Sequence, residues 1–408
     1  MNGARSRWLT VVGIGDDGID GLSPVARRAL DDAEIVFGGK RHLARLGPVS
    51  AKTIPWSSPF VPSVAAVQRY RGRTTVVLAT GDPMWYGVGR TLSRTLDAAE
   101  LHVIPAPSAF SLAAARMGWM IEDIRQISLH GRSLPRLTPL IQPGARILTL
   151  CLNGRTPLMV ASLLKERGFG PSQLTALSNL ASSGEQRLTR TASRWRGKIV
   201  PDLTTLAIKC KAGAKAQYFS TSPGLPDDAF QHDGNITKRD VRAVTLAALA
   251  PMPGAHLWDV GAGCGAVALE WCRAAQSASA ATIEFQPARL ASIAENAQAL
   301  GVPDLEIVPG KAPAAFKGLR PPDAIFVGGG ASGVDGANLI ARAWRALKPG
   351  GRMVANAVTL EAEVRLNSCF NQHGGEMVRI EVAHADTLGA RHGWRPQRPV
   401  TQWRGTKP

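Results

Sequence analysis

Two glycine clusters carry the residues best spaced for chemistry. Asp259-Val260-Gly261-Ala262-Gly263-Cys264-Gly265 follows the apolar run HLW and precedes the helix-like AVALEWCRAA. Glycines let backbone come close to a ligand, and the helix start behind them offers unpaired N–H donors. Glu284 ends the next apolar run, ATIE. An acid there can accept both hydroxyls of a ribose, as it would in a dinucleotide site. Gly261, Gly263 and Ala266 even satisfy a loose GxGxxG/A, so an adenosyl ligand, a dinucleotide and a plain structural turn are all open from these residues alone. The other cluster, Gly13-Ile14-Gly15-Asp16-Asp17-Gly18, is a literal GxGxxG. A dinucleotide fingerprint requires a helix to open at the glycines. Here the helix signal is Ser23-Pro24, an N-cap followed by proline at the first helical position. These glycines therefore predict a loop at a strand's carboxyl end, lining a crevice. Gly81-Asp82-Pro83 and Pro107-Ser108-Ala109 end further apolar runs, where open α/β sheets bind ligands. Taken singly, each is also ordinary turn chemistry.

The elements that must hold these turns alternate along the chain. Strands are expected over 9–15, 74–80, 101–106, 145–153 and 203–210, forming a mostly parallel sheet covered on both faces. Residues 211–235 are rich in Gly, Pro, Ser and Asp, with no helical period. Thr237-Lys238-Arg239-Asp240 then predicts a capping box, Thr237 at the N-cap and Asp240 three residues on. Further strand-to-loop transitions are expected at 256–265, 281–286, 305–313, 323–330 and 350–361. A closing antiparallel hairpin should run from VRIEVAHAD to GWRPQRPVTQWRG. The halves do not resemble each other, which predicts a fusion with domains at 1–212 and 236–408 and a linker at 213–235.

Composition narrows the function classes. The 408 residues are 45% hydrophobic, and the prior of about 150 residues per domain allows two or three domains. No apolar run approaches the ~20 residues that span a bilayer, and MNGARSRW holds no signal-peptide core. The five cysteines (Cys151, Cys210, Cys264, Cys272, Cys369) form no CxxC pair and have no histidines at zinc spacing. That pattern predicts a reduced, cytoplasmic protein without a metal site. The net charge of +17 suits nucleic acid, a small polyanion, or a solvated basic surface. Only three tyrosines are present, and the interleaved aromatics of single-strand RNA binders are missing.

The DxGxGxG form of the later cluster, with strand ends at Gly310-Lys311-Ala312 and Gly328-Gly329-Gly330, resembles the class I S-adenosylmethionine (SAM) methyltransferases. VVGIG, LATGDPMWYG and PAPSAFSLAAARMG resemble the tetrapyrrole methylase family (class III). Together with SLHGR, GNITKRDVRA, PGKAP, FVGGG, ANAVTLE and PVTQW, these strings resemble the decarboxylating precorrin-6Y C5,C15-methyltransferase family of the cobalamin pathway. The resemblance implies an α/β chain: a two-lobed tetrapyrrole methylase fold, then a Rossmann-like class I domain, each with one SAM and no metal. It implies SAM contacts at Asp82, Trp85, Ser108 and Ala109, with Cys151 and Leu152 as weaker ones. In the second domain it implies Thr237, Gly261, Ala262, Gly263, Cys264, Gly265, Glu284 and Ala312. His130, Arg132, Lys238, Arg239 and Arg242 are candidates for substrate carboxylates, each also readable as a solvated face. Asp240 and His232 are candidate proton relays. The expected partner is a small acidic tetrapyrrole, with no nucleic acid or membrane, in a homo-oligomer. Two other readings are an rRNA or tRNA methyltransferase, and a single active methyltransferase whose first domain only docks substrate.

Overall fold

Apolar runs bounded by turn residues become the strands of a computed structural model that describes residues 7–57 and 60–408. Residues 1–6, part of the polar N-terminus read above, lie outside it. The chain divides into two units between Gln217 and Tyr218, and Pro135–Pro139 is grouped with the second.

The first unit holds two five-stranded sheets. One contains β1 (Leu9–Ile14), β2 (Ile35–Gly38), β3 (Lys52–Pro55), β4 (Thr75–Thr80) and β5 (Leu101–Ile104), in the order β3-β2-β4-β1-β5. All four pairings are parallel, and buried Val, Leu and Ile pack on both faces. The other contains β6 (Arg125–Ser128), β7 (Arg146–Leu150), β8 (Gln173–Ser178), β9 (Gln186–Thr191) and β10 (Thr204–Lys209), in the order β6-β7-β10-β8-β9. There β6–β7 is parallel and the remaining pairs are antiparallel. The mostly parallel expectation thus fails for this second sheet. Residues 179–185 join β8 to β9, and β9 (QRLTRT) is a largely exposed edge whose polarity hid it from a search for apolar runs.

The second unit is a seven-stranded sheet. Its parallel part comprises β11 (His256–Val260), β12 (Ser279–Glu284), β13 (Glu306–Pro309), β14 (Ala324–Val327) and β15 (Arg352–Ala357). β16 (Glu376–Ile380) follows, then β17 (Ala383–Leu388), β18 (Arg391–Pro396) and β19 (Val400–Thr406). The order is β13-β12-β11-β14-β15-β19-β16, with β19 antiparallel to both neighbours. The expected closing hairpin is therefore two features. VTQWR enters the sheet, where Gln402 and Trp403 are fully buried, and the exposed β17 and β18 pair only with each other.

Two local expectations are corrected. The helix Arg239–Leu249 starts after Lys238, which remains extended (ψ 148°), so there is no Thr237 capping box. Asp240 instead faces His384 at 3.4 Å. The stretch 213–235 is also not a free linker along its length. Leu225 and Phe230 are buried in the core beneath β11. Glu270 accepts from the Gly224 and Leu225 amides, and Gln231 exchanges backbone bonds with the Asn296 amide. Gly, Pro and Ser remove the regular ladder, but a strap can still pack by its carbonyls and amides.

Candidate functional site

In the second unit the loop after β11 is built from close backbone approaches. Gly261, Gly263 and Gly265 all have left-handed φ (69°, 59° and 79°). A Cβ on Gly261 would stand 2.8 Å from the Cα of Gly329, at the end of β14. Glu284, 2% exposed, clasps this loop. Its Oε2 accepts from the Gly263 amide at 3.0 Å, and its Oε1 from Phe285 and Gln286 at 2.9 and 3.0 Å. Beneath it, Asp259 Oδ2 accepts from the Ala268 amide at 3.1 Å, while Oδ1 is buried without a partner among the described residues. Burial, and secondarily the charge of Glu284, push the Asp259 carboxyl up to about 7.

Over the loop lies a crevice of about 710 Å³, a size that fits a cofactor-sized ligand. Thr237, Lys238, Gly261, Ala262, Gly263 and Cys264 line it, with Arg289, Asn356 and Arg398 and no carboxylate. Arg289 is paired with Asp233 at 2.9 Å. The other expected residues are elsewhere. Gly265, at the end of the loop, and Glu284, behind it, are outside the lining. Ala312 packs against the core. His232 is exposed and accepts from the Gly234 amide, and Arg239 donates to the Gly224 carbonyl at 2.9 Å. Arg242 is corrected as a substrate contact: it is fully buried and bonded to Glu270 at 2.6 Å and Asp227 at 2.9 Å, because the strap closes over it. Asn356 was missed. At the end of β15, its amide is held by the buried Thr245 (3.1 Å) and Gln402 (2.8 Å), and the only hint was its place in ANAVTLE.

The first unit has its own crevice, of about 700 Å³. Three strand ends meet at its floor. The Gly81 amide (φ 60°) donates to Ile14 at 3.0 Å, and its carbonyl accepts from Ala106 at 3.3 Å. A Cβ on Gly13 would come within 2.5 Å of the Ala106 nitrogen. Ser108 caps the helix Ala109–Met117, its Oγ accepting from Ser111 at 3.1 Å. Trp85, Ser108, Ala109, His130, Arg132, Cys151 and Leu152 all line the crevice. Arg132 lies over the Tyr86 ring at 4.6 Å. Asp82 is not in the lining; its Oδ1 accepts from the Met84 amide at 2.9 Å and closes its own turn. Burial pushes the Cys151 thiol up to about 12, so it stays protonated. His42, also in the lining, carried no motif that would have revealed it, and Thr80 was passed over inside LATGDPMWYG.

These folds and turns define a two-part methyltransferase. Residues 8–194 match the family of tetrapyrrole (corrin/porphyrin) methylases, and residues 228–407 match the precorrin methyltransferase domain. Over 403 residues the chain is 46% identical to a precorrin-6Y C(5,15)-methyltransferase [decarboxylating] of Sinorhizobium sp., covering 98% of this chain and 97% of that protein. It belongs to the decarboxylating precorrin-6Y C(5,15)-methyltransferase family, enzymes of cobalamin biosynthesis whose methyl donor is SAM. Two Salmonella typhimurium proteins each match less than half of it. A cobalt-precorrin-7 C(5)-methyltransferase is 31% identical over 44% of this chain and 88% of its own length. A cobalt-precorrin-6B C(15)-methyltransferase (decarboxylating) is 34% identical over 43% of this chain and 92% of its own. Among the described residues no helix is long and apolar enough to cross a membrane.

Proposed function

We propose that the chain converts precorrin-6B and two SAM into precorrin-8, two S-adenosylhomocysteines and CO2. The first unit methylates C-5, and the second methylates C-15 and removes the ring C acetate carboxyl. The observation that carries this reading is the pair of separate crevices of nearly equal volume, one per unit, each floored by strand-end glycines. That two Salmonella typhimurium proteins bear C(5) and C(15) names separately supports the division.

SAM, when bound, supplies an electrophilic methyl group. Trp85, Ser108 and Ala109 would hold it in the first crevice. Thr237 and the loop Gly261–Gly265, braced by Glu284, would hold it in the second. The meso carbons of a reduced tetrapyrrole are themselves nucleophiles, so the chain's task is alignment and exclusion of water. Lys238 and Arg398, in a crevice lined by no acid, suit the substrate's acetate and propionate carboxylates. A cleft of one sign concentrates a substrate of the other, which accounts for the net charge of +17 without nucleic acid. Mass spectrometry of the product formed from precorrin-6B and SAM tests the proposal. Two added methyls and the loss of CO2 are expected. One methyl would favour a docking role for the first unit, and none would favour the RNA reading.

A further inference from the structure

The first crevice contains a polar pair that the methyl-donor contacts do not use. Thr80, the last residue of β4, is exposed on the crevice wall immediately before Gly81. His42, on the short helix Lys40–Ala44 after β2, lines the same wall. The Thr80 Oγ1 and His42 Nε2 are 2.9 Å apart. Arg41 Nη2 lies 3.5 Å from the same Nε2. With the ring proton on Nδ1, Nε2 keeps its lone pair towards these donors and can accept from the Thr80 hydroxyl. The other ring nitrogen, Nδ1, is buried with no hydrogen-bond partner among the described residues. The charged groups facing the ring are Arg41, Arg45 and Asp16. Asp16 lies 3.4 Å from Arg41 and 3.3 Å from Arg45. Burial first, then Arg41, lowers His42 to about 4, so the imidazole is neutral and able to accept a proton at physiological pH.

Methylation of a meso CH forms a C–C bond and leaves that carbon bearing both hydrogen and methyl next to a delocalised cation. We propose that Thr80 and His42 are the relay that removes this hydrogen, Thr80 as the catalytic residue at the substrate and His42 as the acceptor behind it. This rests on the reading that the first unit methylates C-5. The C–H electron pair returns to the conjugated ring. The proton goes to Thr80 Oγ1 as the hydroxyl proton passes to His42 Nε2, and the imidazolium, facing Asp16, then gives up this Nε2 proton to water in the crevice, which restores the starting tautomer. The departing proton is strongly acidic, so a base as weak as His42 suffices.

The test uses the full chain with precorrin-6B. Positioned proton transfer contributes roughly 10²–10⁴-fold. Thr80→Val and His42→Gln should therefore slow C-5 methylation at least about a hundredfold, while SAM affinity in the first unit and C-15 methylation stay near wild type. Thr80→Ser keeps the hydroxyl and should recover most of the rate. Substrate deuterated at C-5 should show a primary isotope effect in Thr80→Val. Without turnover, 15N NMR should assign one neutral imidazole, absent in His42→Gln, whose Nε2 resonance moves in Thr80→Val. Wild-type rates in both variants, no isotope effect, or parallel loss of SAM binding would overturn the relay. A wild-type protein that never methylates C-5 would overturn the reading of the unit and the relay with it.

Discussion

Glu284 reaches its place by accepting three backbone N–H groups, so its carboxylate fixes the loop whether or not a ribose joins it. Charge-assisted bonds are worth about 1.5–3 kcal/mol each. With 1.4 kcal/mol per tenfold, the loss of one such bond in Glu284→Ala should weaken SAM in the second unit by about one to two decades, read by calorimetric titration of the full chain, and leave the first site untouched. Asp82 differs, because it satisfies only its own turn. Asp82→Ala should weaken SAM in the first unit by no more than about tenfold, and a loss beyond a hundredfold would reveal direct contact. Asp259 carries a pH signature. Its carboxyl is raised in the folded unit, to about 7, so folding favours its protonated form. The resulting stability is complete below the unfolded pKa of about 4 and is lost as pH rises through 7. Thermal melts from pH 4 to 8 should show that decline, on the order of a few kcal/mol, and Asp259→Asn should flatten it.

The strap 218–231 behaves as an element although it has almost no regular structure. Its carbonyls and amides complete the coordination of a buried Arg242–Glu270 pair and of Arg273. Removing one partner of a buried pair costs roughly 3–5 kcal/mol, whereas replacing both by apolar residues can be neutral. Glu270→Ala should therefore destabilise the second unit strongly, and Arg242→Met with Glu270→Leu much less, as read by urea unfolding. The same packing directs proteases. Cleavage between the blocks should fall within 211–223, where the exposed stretch 220–223 lies, and not within 224–231. Rapid cutting at Leu225 or Phe230 would contradict the packed strap.

At the scale of the molecule, each unit has its own cores and its own crevice, so fragments cut between them should remain folded, each binding SAM. The charge of +17 is spread through folded sequence. Tetrapyrrole binding should weaken from 50 to 500 mM salt as carboxylate contacts are screened. Nanomolar RNA binding at physiological salt, with a steep counterion slope, would replace the tetrapyrrole reading.

The sequence by itself determined most of the long buried strands and the glycine turns at the carboxyl ends of the parallel ones. Each is written in contiguous residues: apolar runs of β length, glycine where φ must be positive, Ser-Pro where a helix begins. Tertiary structure alone decided what those turns face. β9 was hidden because an exposed edge strand needs no apolar run, and β19, expected in a closing hairpin, runs between β15 and β16 because a strand's partner is set by long-range pairing. Arg242 read as a surface cation until the strap brought Glu270 and Asp227 against it. His42 and Thr80 are 38 residues apart and belong to no shared motif. Only the parallel pairing of β2 with β4 brings them to one crevice wall, since a sheet gathers distant strand ends on one edge whatever their spacing in the chain.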